Sequence, residues 1–196
     1  MPEQSKYHQS KDQLANEAQD VEAAKKDPKA FEVLYSRYYE QIFRYLYQRL
    51  DGKQEAFDLT SEVFLKAMLN LYRYKFTGVP FSSWLYRIAY NELNQAFRTN
   101  KVKRTINIET TNVHTIIEEM DEDNKEEYKP LLTAAINELS DAELNLVEMR
   151  FFEKRPFKEI GNILEITENN AKVRLYRVLG KLKEMITANN TNYERI

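Results

Sequence analysis

Asn169, Lys172, Val173, Tyr176 and Arg177 recur three or four positions apart, so on a helix they share one face. That combination suits a duplex groove. Lys and Arg neutralise phosphates or donate to guanine edges, and Val173 can touch a thymine methyl. The charged outer face of an ordinary helical hairpin has the same composition, so the stripe alone does not decide between the two.

A second group surrounds a break in the chain. Phe76, Phe81, Trp84, Tyr86 and Tyr90 crowd around Thr77, Gly78 and Pro80, with Arg73 and Lys75 before the break and Arg87 and Arg98 after it. Arg87, Asn91, Asn94, Gln95 and Arg98 form one helical stripe. Rings that stack bases and cations that follow phosphates suit single-stranded nucleic acid. The competing reading puts the aromatics, Trp84 and Phe97 above all, in the core of a small bundle. A third group, Asp58, Ser61, Glu62, Leu65 and Lys66, could dock a partner protein or simply be a solvated helix face.

No catalytic constellation emerges. The four glycines stand apart at 52, 78, 161 and 180, so no phosphate-cradling loop exists. Cysteine is absent, which removes disulfides, thiolate metal sites and thiol catalysis and suits a reducing cytoplasm. His8 and His114 lie far apart. The expectation is a binding protein, not an enzyme, with no cofactor and no metal. The start lacks an apolar run, so no signal peptide is expected, and nothing approaches the roughly 18 apolar residues of a membrane span.

These groups need helices to position them. With 196 residues, four glycines and five prolines, the chain has room for two small domains and too few turn residues for a strand-rich fold. Residues 1–26 are polar, with a weak pattern at Leu14, Ala18 and Val21, and are expected to be a tail or short helix. Asp27-Pro28 signals a helix start, and Phe31, Leu34, Tyr35, Tyr38, Ile42, Tyr45 and Leu46 follow at helical spacing. A second helix is expected over 54–72, with Phe57, Val63, Phe64, Ala67, Met68 and Leu71 inward. A third is expected over 81–98, with Leu85, Ile88, Ala89, Leu93, Ala96 and Phe97 inward. Together these make a three-helix domain over 27–104.

Charge then reverses. Residues 31–104 carry twelve Lys or Arg against seven Asp or Glu; residues 105–130 carry two against eight. The segment 105–129 therefore reads as a flexible acidic linker with at most a helical turn near Ile116 to Met120. Pro130 is expected to open a helix through Leu132 and Ile136, and Ser140-Asp141-Ala142-Glu143 is a capping box for the next. Pro156 restarts the chain into a short helix with Ile160 and Gly161. Thr167 caps a last helix reaching about Ile186. The expected fold is all-α, with a second, helix-turn-helix domain over 130–187 and a polar tail over 188–196.

Here the residues resemble a known family. DPKAFEVLYSRYYEQIFRYL, DLTSEVFLKAMLNLYRY and FSSWLYRIAYNELNQAFR resemble the region-two domain of bacterial sigma factors. The segment from Leu139 to Ile186 resembles their region-four domain, and the two-domain form is similar to the extracytoplasmic-function group of the sigma-70 family. The resemblance implies a cytoplasmic transcription initiation factor. Its implied partners are core RNA polymerase, promoter DNA and an anti-sigma factor. It implies that Asp58, Ser61, Glu62 and Leu65 dock on the polymerase clamp. It implies that Phe76, Thr77, Gly78 and Phe81 capture a flipped base of the downstream element. Arg87, Asn91, Asn94 and Gln95 would follow the non-template strand, and Asn169, Lys172, Val173, Tyr176 and Arg177 would read the upstream duplex element.

The chain departs from the family pattern in three places. Ser61 stands where Gln is common, and the basic run after the third helix, Arg98, Lys101, Lys103 and Arg104, is interleaved with neutral residues. Glu165 occupies the turn where Gly is usual, so either Glu165 takes an unfavourable backbone conformation or the turn differs. Two other functions fit the residues without the resemblance: a helix-turn-helix regulator that binds duplex DNA without polymerase, and a helical adaptor.

Overall fold

The computed structural model describes residues 10–99, 110–120 and 125–193. Among them every regular element is helical. The helices are α1 (Lys11–Lys26), α2 (Phe31–Tyr47), α3 (Lys53–Asn70), α4 (Phe81–Arg98), α5 (Thr110–Glu119), α6 (Lys125–Asn137), α7 (Asp141–Val147), α8 (Phe157–Leu164) and α9 (Glu168–Tyr193). They belong to two compact units: α1 to α4 build one, and α5 to α9, apart from residues 162–165, build the other.

In the N-terminal unit, Asp27 and Pro28 do what their types predict. The Asp27 carboxylate accepts from the Lys29 N–H at 2.9 Å, and Pro28 opens a 3-10 turn that runs into α2. Leu34, Ile42, Tyr45 and Leu46 of α2 are buried with Val63 and Ala67 of α3 and Leu85, Ala89 and Leu93 of α4. Rings bind the helices together: Tyr45 and Tyr86 lie 4.7 Å apart between centroids, and Phe43 stacks on Phe57 at 4.5 Å. Lys66 of α3 reaches Glu92 of α4 at 2.5 Å, and that hydrogen bond is the main reason its ammonium titrates above the usual lysine range.

The N-terminal segment is no loose tail. Ser10 and Gln13 form a capping box that starts α1, and α1 packs on α2 with Glu17, Val21 and Ala24 buried. The bundle therefore has four helices, not three, and begins well before residue 27. Its pattern was faint because one inward residue is a carboxylate. Two assignments on α3 and α4 also change. Met68, expected inward, is exposed, and Ile88 and Phe97 are only half-buried.

The acidic segment differs more. Thr110–Glu119 is a helix, and Ile116, Ile117 and Met120 are fully or nearly buried as it packs against α6 and the turn after α7. A charge count hides this because it does not register where Ile116, Ile117 and Met120 point. α6 starts at Lys125, so Pro130 lies inside the helix and does not open it. The basic residues Lys101, Lys103 and Arg104 and the acids Asp121 to Asp123 lie outside the described residues.

The capping box at Ser140 forms as predicted, with Glu143 accepting from the Ser140 N–H at 2.8 Å. The Ser140 hydroxyl, then Lys181, holds the Glu143 carboxyl below its ordinary range. α7 then widens into a π turn over Glu148–Phe152, followed by Lys154 at φ 49°. The chain turns into α8 with Arg155 wholly buried and paired to Glu159 at 2.6 Å. The Thr167 hydroxyl accepts from the Asn170 N–H at 3.2 Å and starts α9, which runs on to Tyr193 instead of ending near 186.

The turn between α8 and α9 resolves the question raised by Glu165. Its φ is 56°, the left-handed conformation, and the Ile166 N–H donates to the Gly161 carbonyl at 2.9 Å. This is the six-to-one bond of a Schellman cap, with Glu165 where glycine is usual. Glu165 therefore carries the strain of the left-handed conformation. Gly161 is small because of this turn: a Cβ there would lie 2.8 Å from the Ile166 carbonyl oxygen.

Ile117→Ala should destabilise the C-terminal unit by about 2–5 kcal/mol in urea unfolding, whereas a loose linker would show at most about 0.5 kcal/mol. Glu165→Gly should stabilise by about 1 kcal/mol, since a left-handed non-glycine residue costs roughly that much, and Gly161→Ala should destabilise by about 1–3 kcal/mol. Equal melting temperatures for wild type and Glu165→Gly would contradict the strain.

Candidate functional site

Of the three groups singled out by residue type, two fall on exposed helix faces, and the third divides between an exposed loop and the core. On α3, Asp58, Ser61, Glu62 and Leu65 are all exposed along one face. Asp58 accepts from the Gln54 amide at 3.0 Å, Ser61 donates back to the Phe57 carbonyl at 3.0 Å, and Glu62 pairs with Lys66 at 3.1 Å. Leu65 does not stand alone: it is 52% exposed, Leu69 61% and Tyr72 67%, with Met68 beside them. These apolar residues continue the stripe towards the end of the helix. The type-based reading missed Leu69 and Tyr72 and placed Met68 inside. Their spacing from Leu65 was the available signal, but an apolar residue on an amphipathic helix is assigned to the core by default.

Along α2 the rings of Tyr35, Tyr39, Phe43 and Tyr47 follow one another at four-residue intervals, with centroids 5.1, 6.3 and 5.7 Å apart. Phe64 and Phe57 of α3 close against this ladder. The ladder was not foreseen as a surface feature, yet Tyr35 and Tyr47 are exposed.

The break between α3 and α4 is built around buried anchors. A 3-10 turn, Leu71–Arg73, ends α3. Tyr74, Val79 and Pro80 are buried, and the Tyr74 ring meets Phe81 at 5.1 Å and Trp84 at 5.4 Å. Burial, then the Glu17 carboxylate, drives the Tyr74 hydroxyl far above the tyrosine range, so it stays neutral. Between the anchors, Lys75, Phe76 and Thr77 face solvent and Phe76 is half exposed; Gly78 turns the chain at φ 74°, where glycine carries no Cβ penalty.

Phe81 corrects the type-based reading. It is 0% exposed, the first residue of α4 and part of the core, so its ring is not on the surface that Phe76 shares. Tyr86, fully buried, is core as well, while Trp84 and Tyr90 are half-buried. Burying a phenylalanine at the first turn of a helix is what directs the loop ahead of it outward. Along α4, Arg87 and Asn94 are half-exposed and Asn91 and Gln95 exposed, so the expected polar stripe exists.

On α9, Asn169, Lys172, Val173, Tyr176 and Arg177 are all exposed, and Ala171, Leu175, Val178, Leu182 and Ile186 are buried on the opposite side. The predicted face is thus a single solvent-directed stripe. One contact on it was unforeseen. The Tyr176 hydroxyl donates to Glu119 of α5 at 2.8 Å, and this bond holds the hydroxyl above its ordinary range. Among the described residues no cluster of three or more His, Asp or Glu could hold a metal ion. No helix among them is long and apolar enough to cross a membrane.

Comparisons with known proteins bear on these surfaces. The family model for sigma-70 region 2 matches residues 34–102, and that for sigma-70 region 4 matches 135–184. The extracytoplasmic-function RNA polymerase sigma factor BldN of Streptomyces coelicolor is 28% identical over 159 residues, 80% of this chain but only 60% of BldN. The extracytoplasmic-function sigma factor SigM of Bacillus subtilis is 26% identical over 152 residues, 78% of this chain and 92% of SigM. Among solved structures, CnrH in complex with the cytosolic domain of CnrY is similar at a TM-score of 0.56 and 16% identity, covering 89% of this chain and 98% of that one. The sigma factor RpoE in complex with the anti-sigma factor NepR from Bartonella quintana is similar at a TM-score of 0.55 and 15% identity, over 81% and 98%. These two share the all-α fold. With both region models matched in order, the chain belongs to the sigma-70 family, as an RNA polymerase sigma factor of the extracytoplasmic-function group.

Proposed function

We propose that this sigma factor binds core RNA polymerase through the outer face of α3, directs it to specific promoters and helps open them. Asp58, Ser61, Glu62 and Leu65 begin the polymerase-docking face, and Leu69 and Tyr72 extend it. Exposed leucines rimmed by carboxylates are the surface a partner protein desolvates. The α9 stripe Asn169, Lys172, Val173, Tyr176 and Arg177 enters the major groove of an upstream duplex element. Phe76, Thr77 and Gly78 receive an unstacked base of the downstream element, while Arg87, Asn91, Asn94 and Gln95 follow the freed strand. Phe81 supports this from the core instead of touching the base.

The observation that carries this reading is Phe76: a half-exposed ring on a loop whose flanking residues Tyr74, Val79, Pro80 and Phe81 are all buried. A core aromatic has no reason to sit there, and a base does. Unstacking a base costs roughly a few kcal/mol, and one ring returns about 1–3 kcal/mol by stacking. Two modest DNA sites on one chain reinforce each other by effective concentration, so neither needs to bind tightly alone. The location implied is the cytoplasm, where polymerase works. An anti-sigma factor is the further partner proposed, as in the complex of RpoE with NepR.

The primary test is copurification with core polymerase followed by run-off transcription from a matched promoter. Absence of core binding would overturn the proposal, and tight duplex binding without polymerase would favour a free-standing regulator. Phe76→Ala should slow promoter opening by roughly tenfold or more, the equivalent of one lost stacking contact, with core affinity unchanged. Arg177→Ala should weaken binding to the upstream duplex and lower the salt slope of that binding by about one. An unaltered slope would remove Arg177 from the phosphate contacts.

A further inference from the structure

Both ends of the Tyr74-to-Phe81 loop are gripped by α1, a helix outside the residues that match the region 2 model. At the loop's exit, Pro80 offers no side-chain cap to α4, and the Phe81 N–H is one of the donors a helix start leaves unsatisfied. That N–H donates to the Glu17 carboxylate at 2.6 Å, across 64 positions of sequence. The other Glu17 oxygen accepts from the Tyr38 hydroxyl of α2. Glu17 is 2% exposed, so its charge is desolvated and is held by these donors and by the positive end of α4. At the loop's entrance, Lys25 donates to the Tyr74 carbonyl at 3.0 Å and lies 5.9 Å from the centre of the Tyr74 ring.

A buried carboxylate is a poor choice for stability alone, since apolar residues of similar size fill such sites at lower desolvation cost. Its yield is directional: one carboxylate fixes the first N–H of α4 relative to α1 and α2, which sets where the loop emerges. Lys25 does the same for the carbonyl at which the loop departs. Resting on the reading of this loop as the site that receives the unstacked base, we propose that Glu17 and Lys25 are positioning residues for promoter opening. They hold Phe76 and Gly78 in the receptive arrangement before DNA arrives. Without either clamp the loop samples more conformations, and capture is reduced by the fraction of molecules no longer competent.

The test uses holoenzyme reconstituted with Glu17→Gln, Lys25→Met, Lys25→Arg and, as a control on the same helix, Asp20→Asn, which breaks only the exposed pair with Arg37. Three quantities are measured: core polymerase affinity, affinity for a single-stranded oligonucleotide carrying the downstream element, and the rate of open-complex formation on duplex promoter. Glu17→Gln and Lys25→Met should lose about tenfold in the last two at unchanged core affinity, while Asp20→Asn stays at the wild-type level and Lys25→Arg recovers most of the loss. Unchanged oligonucleotide affinity and opening rate in both clamp variants would overturn the inference. So would losses that match the fall in core affinity, which mark a purely structural role; Lys25→Met, at a partly exposed site, keeps this decidable if Glu17→Gln folds poorly. Wild-type holoenzyme that ignores the oligonucleotide, or a Phe76→Ala variant that opens promoters normally, would instead sink the underlying reading of the loop.

Discussion

An amphipathic helix can offer a partner only the face it does not bury, and that constraint organises this sigma factor. Ala171, Leu175, Val178 and Leu182 bury one side of α9, which leaves Lys172, Val173, Tyr176 and Arg177 outward as a rigid set. Val63, Phe64 and Ala67 bury one side of α3 and leave Asp58, Glu62 and Leu65 outward. Each exposed face is the complement of a core stripe. Moving an outward residue therefore means rotating the helix and exposing its core.

The loop before α4 solves a different problem. A loop has no second face to bury, so its position must come from anchors at its ends. Tyr74, Val79, Pro80 and Phe81 supply apolar anchors, and α1 supplies polar ones through Glu17 and Lys25. The exposed ring of Phe76 is held out on a short span between them. In the C-terminal unit the corresponding economy is steric: Gly161 has no side chain because the turn backbone passes over it, and Glu165 accepts a left-handed conformation to make that turn. Strain is borne at the joint between α8 and α9.

Much of this was legible from residue types. Asp27 with Pro28, Ser140 with Glu143, and Thr167 mark helix starts because the side-chain oxygen acts within three residues of itself, and all three form. The two exposed polar stripes on α4 and α9 follow from 3.6-residue periodicity. Phe81 was misassigned because an aromatic beside a glycine-containing break looks the same whether it points in or out. Met68 failed for the same reason in the opposite sense. The helix over Thr110–Glu119 was hidden because counting charge averages over a segment whose packing rests on apolar residues such as Ile116, Ile117 and Met120.

The sequence by itself determined much of the local structure: the helix starts at Asp27, Ser140 and Thr167, the apolar side of most helices, and which residue types could meet nucleic acid. Those properties act over one or two turns, and the chain encodes them at fixed offsets. The tertiary structure alone decided that Glu17 would cap a helix beginning 64 residues later, that Lys25 would hold the Tyr74 carbonyl, and that Glu119 would take the Tyr176 hydroxyl. A hydrogen bond between distant segments has no period and no spacing in the chain. It exists only once burial of the apolar faces has brought the two helices together, and so it cannot be read before the fold is known.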